Sequence, residues 1–299
     1  MKYIIVGLGI QGQKRYKEYK KDIIATVDPK NKKADFKKIE SIDSNLYDAV
    51  ILSLPENLKI KYIKKFLKLK KHVLVEKPLI SKKSKEISNI EKLSIQNSVY
   101  CYVAYDHRFE NNMIKMKKIL KKKTLGKIYA IKLFYGNGTA ADIKKSTWRD
   151  TDSGVIRDLM PHLIDLLFYW FKNLNYKFVL WAKNKFENKS PDHAILSSKN
   201  PLIILETSYT CWKNDFKVDI FGSKGSAHIK SLSKWGVSKF IVRRRKFPSG
   251  VPIENKFIQK KQTNTIKEEL RFFNSQVSKK IKTNLKKDIK INDILNKVS

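Results

Sequence analysis

Strand and helix patterns alternate through the first half of this chain, strands follow one another through the second, and a glycine-rich turn joins the first strand to the first helix. These three observations predict an α/β protein. A doubly wound parallel sheet comes first, then an α+β domain on an open, mostly antiparallel sheet.

The elements follow in order. Lys2–Val6 is a short apolar run before the glycine turn, and Gln13–Lys21 is a polar, helix-compatible stretch. Ile23–Val27 is a second strand ending at Asp28, and Tyr47–Ser53 is a third, closed by Pro55. Asn57–Leu69 carries Leu58, Ile60, Ile63, Phe66, Leu67 and Leu69 on one helical face. His72–Val75 is a strand closed by Pro78; Ser84–Leu93 reads as helix, Val99–Ala104 as strand and Asn111–Leu120 as helix. Beyond this the pattern changes. Ile128–Tyr135, Lys177–Ala182, Ala194–Ser198, Leu202–Thr210, Phe216–Phe221 and Ala227–Leu232 read as strands, with one apolar helix, about Met160 to Phe171, among them. Arg243–Lys261 is basic with two prolines and reads as a loop or edge segment, and Thr265–Val277 as a helix. The change predicts two domains, 1–120 and 121–299, with 265–299 a helical tail able to pack back on the first.

With 299 residues, 41% apolar and 31% charged, the chain is too apolar for disorder and too mixed for a membrane bundle. The apolar start, Tyr3–Ile10, contains two glycines and lacks a small-residue cleavage site, so the expected location is cytoplasmic. Two cysteines, Cys101 and Cys211, exclude a disulfide framework and a cysteine-based zinc site.

The net charge of +36 invites a nucleic-acid or membrane reading. Eight of the 64 basic residues are arginine and the rest lysine, dispersed from Lys2 to Lys297 among many Asn and Ile. Base readers and phosphate clamps favour arginine for its planar fork. The expectation is therefore neither nucleic acid nor membrane: Lys, Asn and Ile share A/T-rich codons, so the favoured reading is base composition expressed on a solvated surface, and the alternative is a basic surface that draws in an anionic small molecule.

Gly7-Leu8-Gly9-Ile10-Gln11-Gly12 follows a strand and opens a helix. Gly7 permits the tight turn, Gly9 lets a pyrophosphate approach the backbone, and Gly12 lets the helix pack close. Asp28 lies at the end of the second strand, where a carboxylate accepts from ribose hydroxyls and repels a 2′-phosphate. NAD is thus expected over NADP, a preference softened by Lys30, Lys32 and Lys33 nearby.

Glu76-Lys77-Pro78 closes a buried strand at the end where doubly wound sheets bind ligands. Lys77 can hydrogen-bond a substrate oxygen as negative charge develops, and Glu76 can hold it. In Gly154-x-x-x-Asp158-x-x-x-His162-x-x-Asp165, Asp158 and His162 are one helical turn apart. Histidine suits proton transfer near neutral pH. Asp165 belongs either to that network or to a structural cap. No other histidine sits at metal-ligand spacing, so no metal is expected. Trp212 and Trp235 are candidates for stacking on a sugar, though core packing is the favoured role.

Taken in order, these motifs resemble the glucose–fructose oxidoreductase/inositol dehydrogenase (Gfo/Idh/MocA) family, as do Ser53-Leu54-Pro55, Tyr105-Asp106-His107-Arg108-Phe109, Leu125-Gly126-Lys127-Ile128, Trp148-Arg149 and Phe221-Gly222-Ser223-Lys224-Gly225. The resemblance covers nearly the whole chain. It implies a Rossmann domain, a nicotinamide held at the domain interface, and Lys77, Asp158 and His162 as the catalytic set. It places Ser53, Leu54, Pro55 and Glu76 along the cofactor, and Arg108, Trp148 and Arg149 near a sugar-like substrate. It also implies a homo-oligomer, dimer or tetramer, formed through the second sheet. A histidine common in the family soon after Pro55 is missing here. The alternative is a dinucleotide-binding sensor or scaffold of the same fold without catalysis.

Overall fold

The structure is a computed structural model and describes residues 1–146, 150–151, 153–171, 176–248 and 250–299. Two compact units emerge, Met1–Asp106 with Asn264–Asp293, and His107–Thr263 with Ile294–Ser299.

In the first unit β1 (Tyr3–Val6), α1 (Ile10–Tyr19), β2 (Ile23–Val27), β3 (Ala49–Leu52), α2 (Glu56–Lys68), β4 (His72–Glu76), α3 (Lys85–Gln96) and β5 (Cys101–Ala104) alternate as the sequence predicts. The five strands run parallel in the order β2-β1-β3-β4-β5. Chain direction across the sheet reverses between β1 and β3, so their carboxyl ends form a switch point where such sheets bind ligands. Every residue of β1, β3 and β5 is buried. That explains their uninterrupted apolar runs, since a strand covered on both faces has no polar side to show.

In the second unit α4 (Asn111–Lys121), β6 (Ile128–Gly136), α5 (Ala140–Lys144), α6 (Val155–Asp158) and α7 (Met160–Trp170) precede a succession of strands. These are β7 (Val179–Asn184), β8 (His193–Ser198), β9 (Leu202–Ser208), β10 (Asp215–Gly222), β11 (Gly225–Lys230), β12 (Ser238–Arg244) and β13 (Ile253–Gln259). They form one eight-stranded sheet, β13-β12-β11-β10-β6-β9-β8-β7, antiparallel except for the parallel pair β6–β9. The sequence reading missed β12, whose three consecutive buried residues, Phe240, Ile241 and Val242, are flanked by basic residues from Lys239 to Arg245 and show no clean alternation. The segment read as loop or edge contributes β13 at the sheet margin. An edge strand bonds to one neighbour and needs no buried face, and six of the seven residues of β13 are exposed.

The first unit closes at Asp106, earlier than the boundary of 120 read from the sequence. The physical reason is α4, which joins the second unit. Trp170 Nε1 donates to the Met113 carbonyl at 3.1 Å, and Asn112 Nδ2 to Ser238 Oγ at 2.8 Å. The tail returns to the first unit through α8 (Thr265–Ser278). Leu270 and Phe273 join Tyr3, Ile5, Ala49, Ile51, Leu74 and Tyr102 in one apolar cluster. Each such buried side chain contributes about 1.5–3 kcal/mol, so this helix completes the covering of one sheet face. Helix α9 (Lys286–Val298) follows, and Asn292 Oδ1 accepts from the Ser81 amide at 2.8 Å. Among the described residues no helix is long and apolar enough to cross a membrane.

Candidate active site

Gly7 ends β1 at φ +93°, and a Cβ there would lie 2.3 Å from the Ser53 carbonyl oxygen. Only glycine lets the β1 and β3 ends come this close. Gly12 is equally constrained, because its Cβ would lie 2.0 Å from the Gly7 oxygen. Gly9 differs. It caps α1, and a Cβ there meets nothing within 4 Å. The α1 amino terminus has no side-chain cap and no acidic residue in its first turn. Its first N–H groups and positive dipole end therefore suit an anion in the open space beside Gly9.

Asp28 organises this loop. Its Oδ2 accepts from the Leu8 amide at 2.8 Å, and its Oδ1 from the amides of Lys30 and Asn31 at 2.8 and 2.9 Å. Burial pulls its pKa upward, but the Asn31, Leu8 and Lys30 amides outweigh that and hold the carboxyl below its usual range. A carboxylate offers about four acceptor positions, so most of its capacity ties the turn together. Ser53 Oγ is buried and has no hydrogen-bond partner among the described residues. Open space at Gly9, an uncapped helix start, an orphaned hydroxyl at the switch point and an ionised Asp28 together fit a dinucleotide.

The end of β4 is gripped by two buried cations that sequence reasoning did not single out. Arg15, on α1, donates from Nε to Glu76 at 2.5 Å and from NH2 to Glu269 of α8 at 2.8 Å. Glu76 is thus engaged by Arg15, where the sequence reading had it holding Lys77. Lys59, on α2, donates to the carbonyl oxygens of Glu76, Lys77 and Pro78 at 2.7, 3.0 and 2.8 Å. The Lys77–Pro78 peptide is cis. Both cations look like surface residues in a chain this basic, and the only sequence signal was position. Lys59 lies four residues before Ile63 and seven before Phe66, on the buried face of α2, whereas Leu58 is partly exposed.

In the second unit Gly154 takes φ +43° and a Cβ there would lie 2.2 Å from the Pro191 carbonyl, so the chain turns sharply into α6. Asp158 closes α6, and His162 lies in the first turn of α7, with Pro161 at the helix start. The pair thus sits on two successive short helices. Tyr209 Oη donates to Asp158 Oδ2 at 3.1 Å. His162 is 7% exposed and stacks on His107, ring centroids 4.1 Å apart and planes 21° apart. Lys234 Nζ lies 3.2 Å from His107 Nε2. The tautomer that leaves Nε2 unprotonated lets it accept from that ammonium.

Asp165 resolves as the partner of Arg108, which donates from Nε to Oδ2 at 2.6 Å and from NH2 to Oδ1. Two of the five Arg108 N–H groups are thereby engaged within the fold. Trp212 is not core, against the favoured expectation. It is 73% exposed, in the turn before β10, where its backbone adopts φ +59°. Trp235 packs against Tyr135, ring centroids 5.7 Å apart. Trp148 and Arg149 lie outside the described residues.

Comparison with known proteins bears on both units. The family described as "Oxidoreductase family, NAD-binding Rossmann fold" matches residues 1–105, and the "GFO/IDH/MocA C-terminal domain" matches residues 113–228. Glucose-6-phosphate 3-dehydrogenase of Bacillus subtilis is 32% identical over 148 residues, covering 46% of this chain and 41% of that protein. Across the curated relatives matched, the aligned segments cover between 32% and 62% of the relatives' own lengths. An oxidoreductase structure from Desulfitobacterium hafniense superposes with TM-score 0.84 at 16% identity, covering 100% of this chain and 94% of that one. Levoglucosan dehydrogenase in complex with NADH superposes with TM-score 0.83 at 14% identity, covering 100% and 95%. At such identities the structures speak for the fold, and the family matches speak for descent: the chain belongs to the Gfo/Idh/MocA oxidoreductase family, with an NAD-binding Rossmann domain followed by the family's carboxyl-terminal domain.

Proposed function

We propose that the protein is an NAD(P)-dependent dehydrogenase that interconverts a secondary alcohol and a ketone on a sugar, sugar derivative or nucleotide sugar. The observation that carries this reading is His162, a buried imidazole pinned by its stack on His107 and four residues after Asp158 across a break between two short helices. In that role His162 takes the hydroxyl proton, Asp158 steadies the imidazolium, and Lys77 donates a hydrogen bond to the oxygen as charge develops. The nicotinamide supplies the hydride acceptor, and the protein supplies alignment.

An anionic sugar suits the net charge of +36. One relative is named for glucose 6-phosphate and a structural neighbour for levoglucosan, which supports sugars as the class. NAD is preferred to NADP because Asp28 stays ionised beside the loop. The test is a panel of sugars, sugar phosphates and nucleotide sugars with NAD and NADP, following reduced-cofactor absorbance. Turnover is expected with NAD and a phosphorylated or nucleotide-linked sugar. NADH binding with no turnover on any of them would leave a scaffold instead. We place the homo-oligomer contact on the eight-stranded sheet, whose strands expose Trp181, Leu202 and Phe221; a monomeric mass by light scattering would remove that part.

The glycines separate folding from cofactor binding. Gly9→Val projects into open space, so its melting temperature stays at the wild-type value while the Kd for NADH rises tenfold or more, about 1.4 kcal/mol. Gly12→Ala drives a methyl into the Gly7 carbonyl and costs about 1–3 kcal/mol of stability. Thermal melts and NADH fluorescence titration read both, and equal melting losses in the two variants would contradict the assignment.

A further inference from the structure

Lysine is among the side chains least often buried, because its ammonium loses its hydration. Lys59 is 4% exposed, at a position of α2 where the helical period calls for an apolar residue. Its burial is compensated one donor at a time. An ammonium has three N–H groups, and Lys59 places them on three consecutive carbonyl oxygens, those of Glu76, Lys77 and Pro78. Successive carbonyls of a strand point to opposite sides, so three that converge on one atom mark a chain curled around it. Such charge-assisted bonds are roughly twice as strong as neutral ones.

In the same segment, Arg15 holds the Glu76 side chain. The backbone around Lys77 is therefore fixed by Lys59 and anchored next door at Glu76, and with it the direction in which the Lys77 side chain leaves the chain. A catalytic group displaced by about 1 Å can lose 10²-fold in rate.

We propose that Lys59 is a positioning residue for Lys77, its buried ammonium setting the turn from which the Lys77 side chain reaches substrate. This rests on the reading that Lys77 acts on the substrate oxygen. The protonation chemistry points the same way. Burial brings the Lys59 pKa down to about 8, with Glu76 and Glu56 pulling it up and Lys77 pulling it down. A neutral amine keeps two N–H donors and turns a lone pair toward the third carbonyl, so the grip loosens as pH rises through that value.

The experiment uses the full chain with Lys59→Met, Lys59→Gln and Lys77→Ala, assayed with NAD and glucose 6-phosphate or, failing that, the best sugar of the panel. Lys59→Met is expected to lower kcat 10- to 100-fold with KM and the NADH Kd each within threefold of wild type. Lys59→Gln, with two donors, falls between. Wild-type kcat drops across a limb near pH 8, and Lys59→Met lacks that limb. Wild-type kcat in Lys59→Met, or an unchanged limb, overturns the proposal. Wild-type turnover in Lys77→Ala overturns the underlying reading instead, so the two failures are distinct. Should Lys59→Met not fold, Lys59→Gln carries the kcat comparison. Should no sugar turn over, ¹³C NMR of the lysine Cε resonances decides, with the Lys77 signal assigned by its loss in Lys77→Ala: a Lys77 signal displaced in Lys59→Gln supports the proposal, and one that stays at its wild-type position overturns it.

Discussion

Lys77→Ala and His162→Ala each lower kcat by about 10²–10⁴-fold while NADH still binds. Neither side chain belongs to the glycine loop, whose geometry comes from Gly7, Gly12 and Asp28, so cofactor affinity survives their loss. His162 is held by its stack on His107 and by the packing of α7, nine of whose eleven residues are buried. In the proposed mechanism, truncation of His162 to alanine removes the proton acceptor and leaves its housing standing, and Lys77→Ala removes the donor to the developing oxyanion. If both act on one oxygen, their losses are not additive, and the double variant is little worse than the poorer single. Steady-state turnover with NADH titration reads all three variants. Wild-type turnover in both singles, or strictly multiplicative losses in the double, would separate these residues from a shared chemical step.

Arg15→Met destabilises the protein by about 3–5 kcal/mol, the scale for breaking a buried ion pair from one side. Arg15 is 3% exposed and Glu269 0%, and the guanidinium stands between Glu269 and Glu76. Without it the fully buried Glu269 loses its guanidinium partner, and Glu76 loses one of the two cations beside it. The same triad confers a pH dependence. Burial raises Glu269 to about 7, against the pull of Arg15 and with further push from Asp106 and Glu76. One cation facing two carboxylates leaves an excess negative charge that a proton relieves. Because the folded pKa lies above the unfolded value of 4.5, the native state holds more protons between the two. The stability contributed by that proton is present below pH 4.5 and is lost as pH rises through about 7. Glu269→Gln carries no such proton and is expected to flatten stability across this window. Urea denaturation of wild type and both variants between pH 4.5 and 8 checks magnitude and slope together. A slope in Glu269→Gln equal to wild type would place the titrating group elsewhere.

The glycine loop, the strand ends at Asp28 and Glu76, and the Asp158–His162 spacing were all legible because each is a local pattern. A turn that needs positive φ selects glycine wherever the chain passes through it, and a strand covered on both faces selects apolar residues whatever covers it. Thus β1 through β5 emerged nearly whole. The second sheet was legible where alternation was clean and failed at β12, where basic residues masked the buried Phe240, Ile241 and Val242. Trp212 was read from its apolar character alone, but it lies in an exposed turn before β10, and residue type does not reveal which turns the fold leaves uncovered.

The sequence by itself determined the alternation of elements, the glycine turn and the residue types able to do the chemistry, because these depend on neighbours a few positions apart. Which of the many lysines would be buried, and which acid each arginine would meet, only the tertiary structure decided. Lys59 finds its carbonyls 17 to 19 residues away and Arg15 finds Glu269 at a separation of 254. Burial and charge pairing are properties of the folded interior, so no local pattern records them.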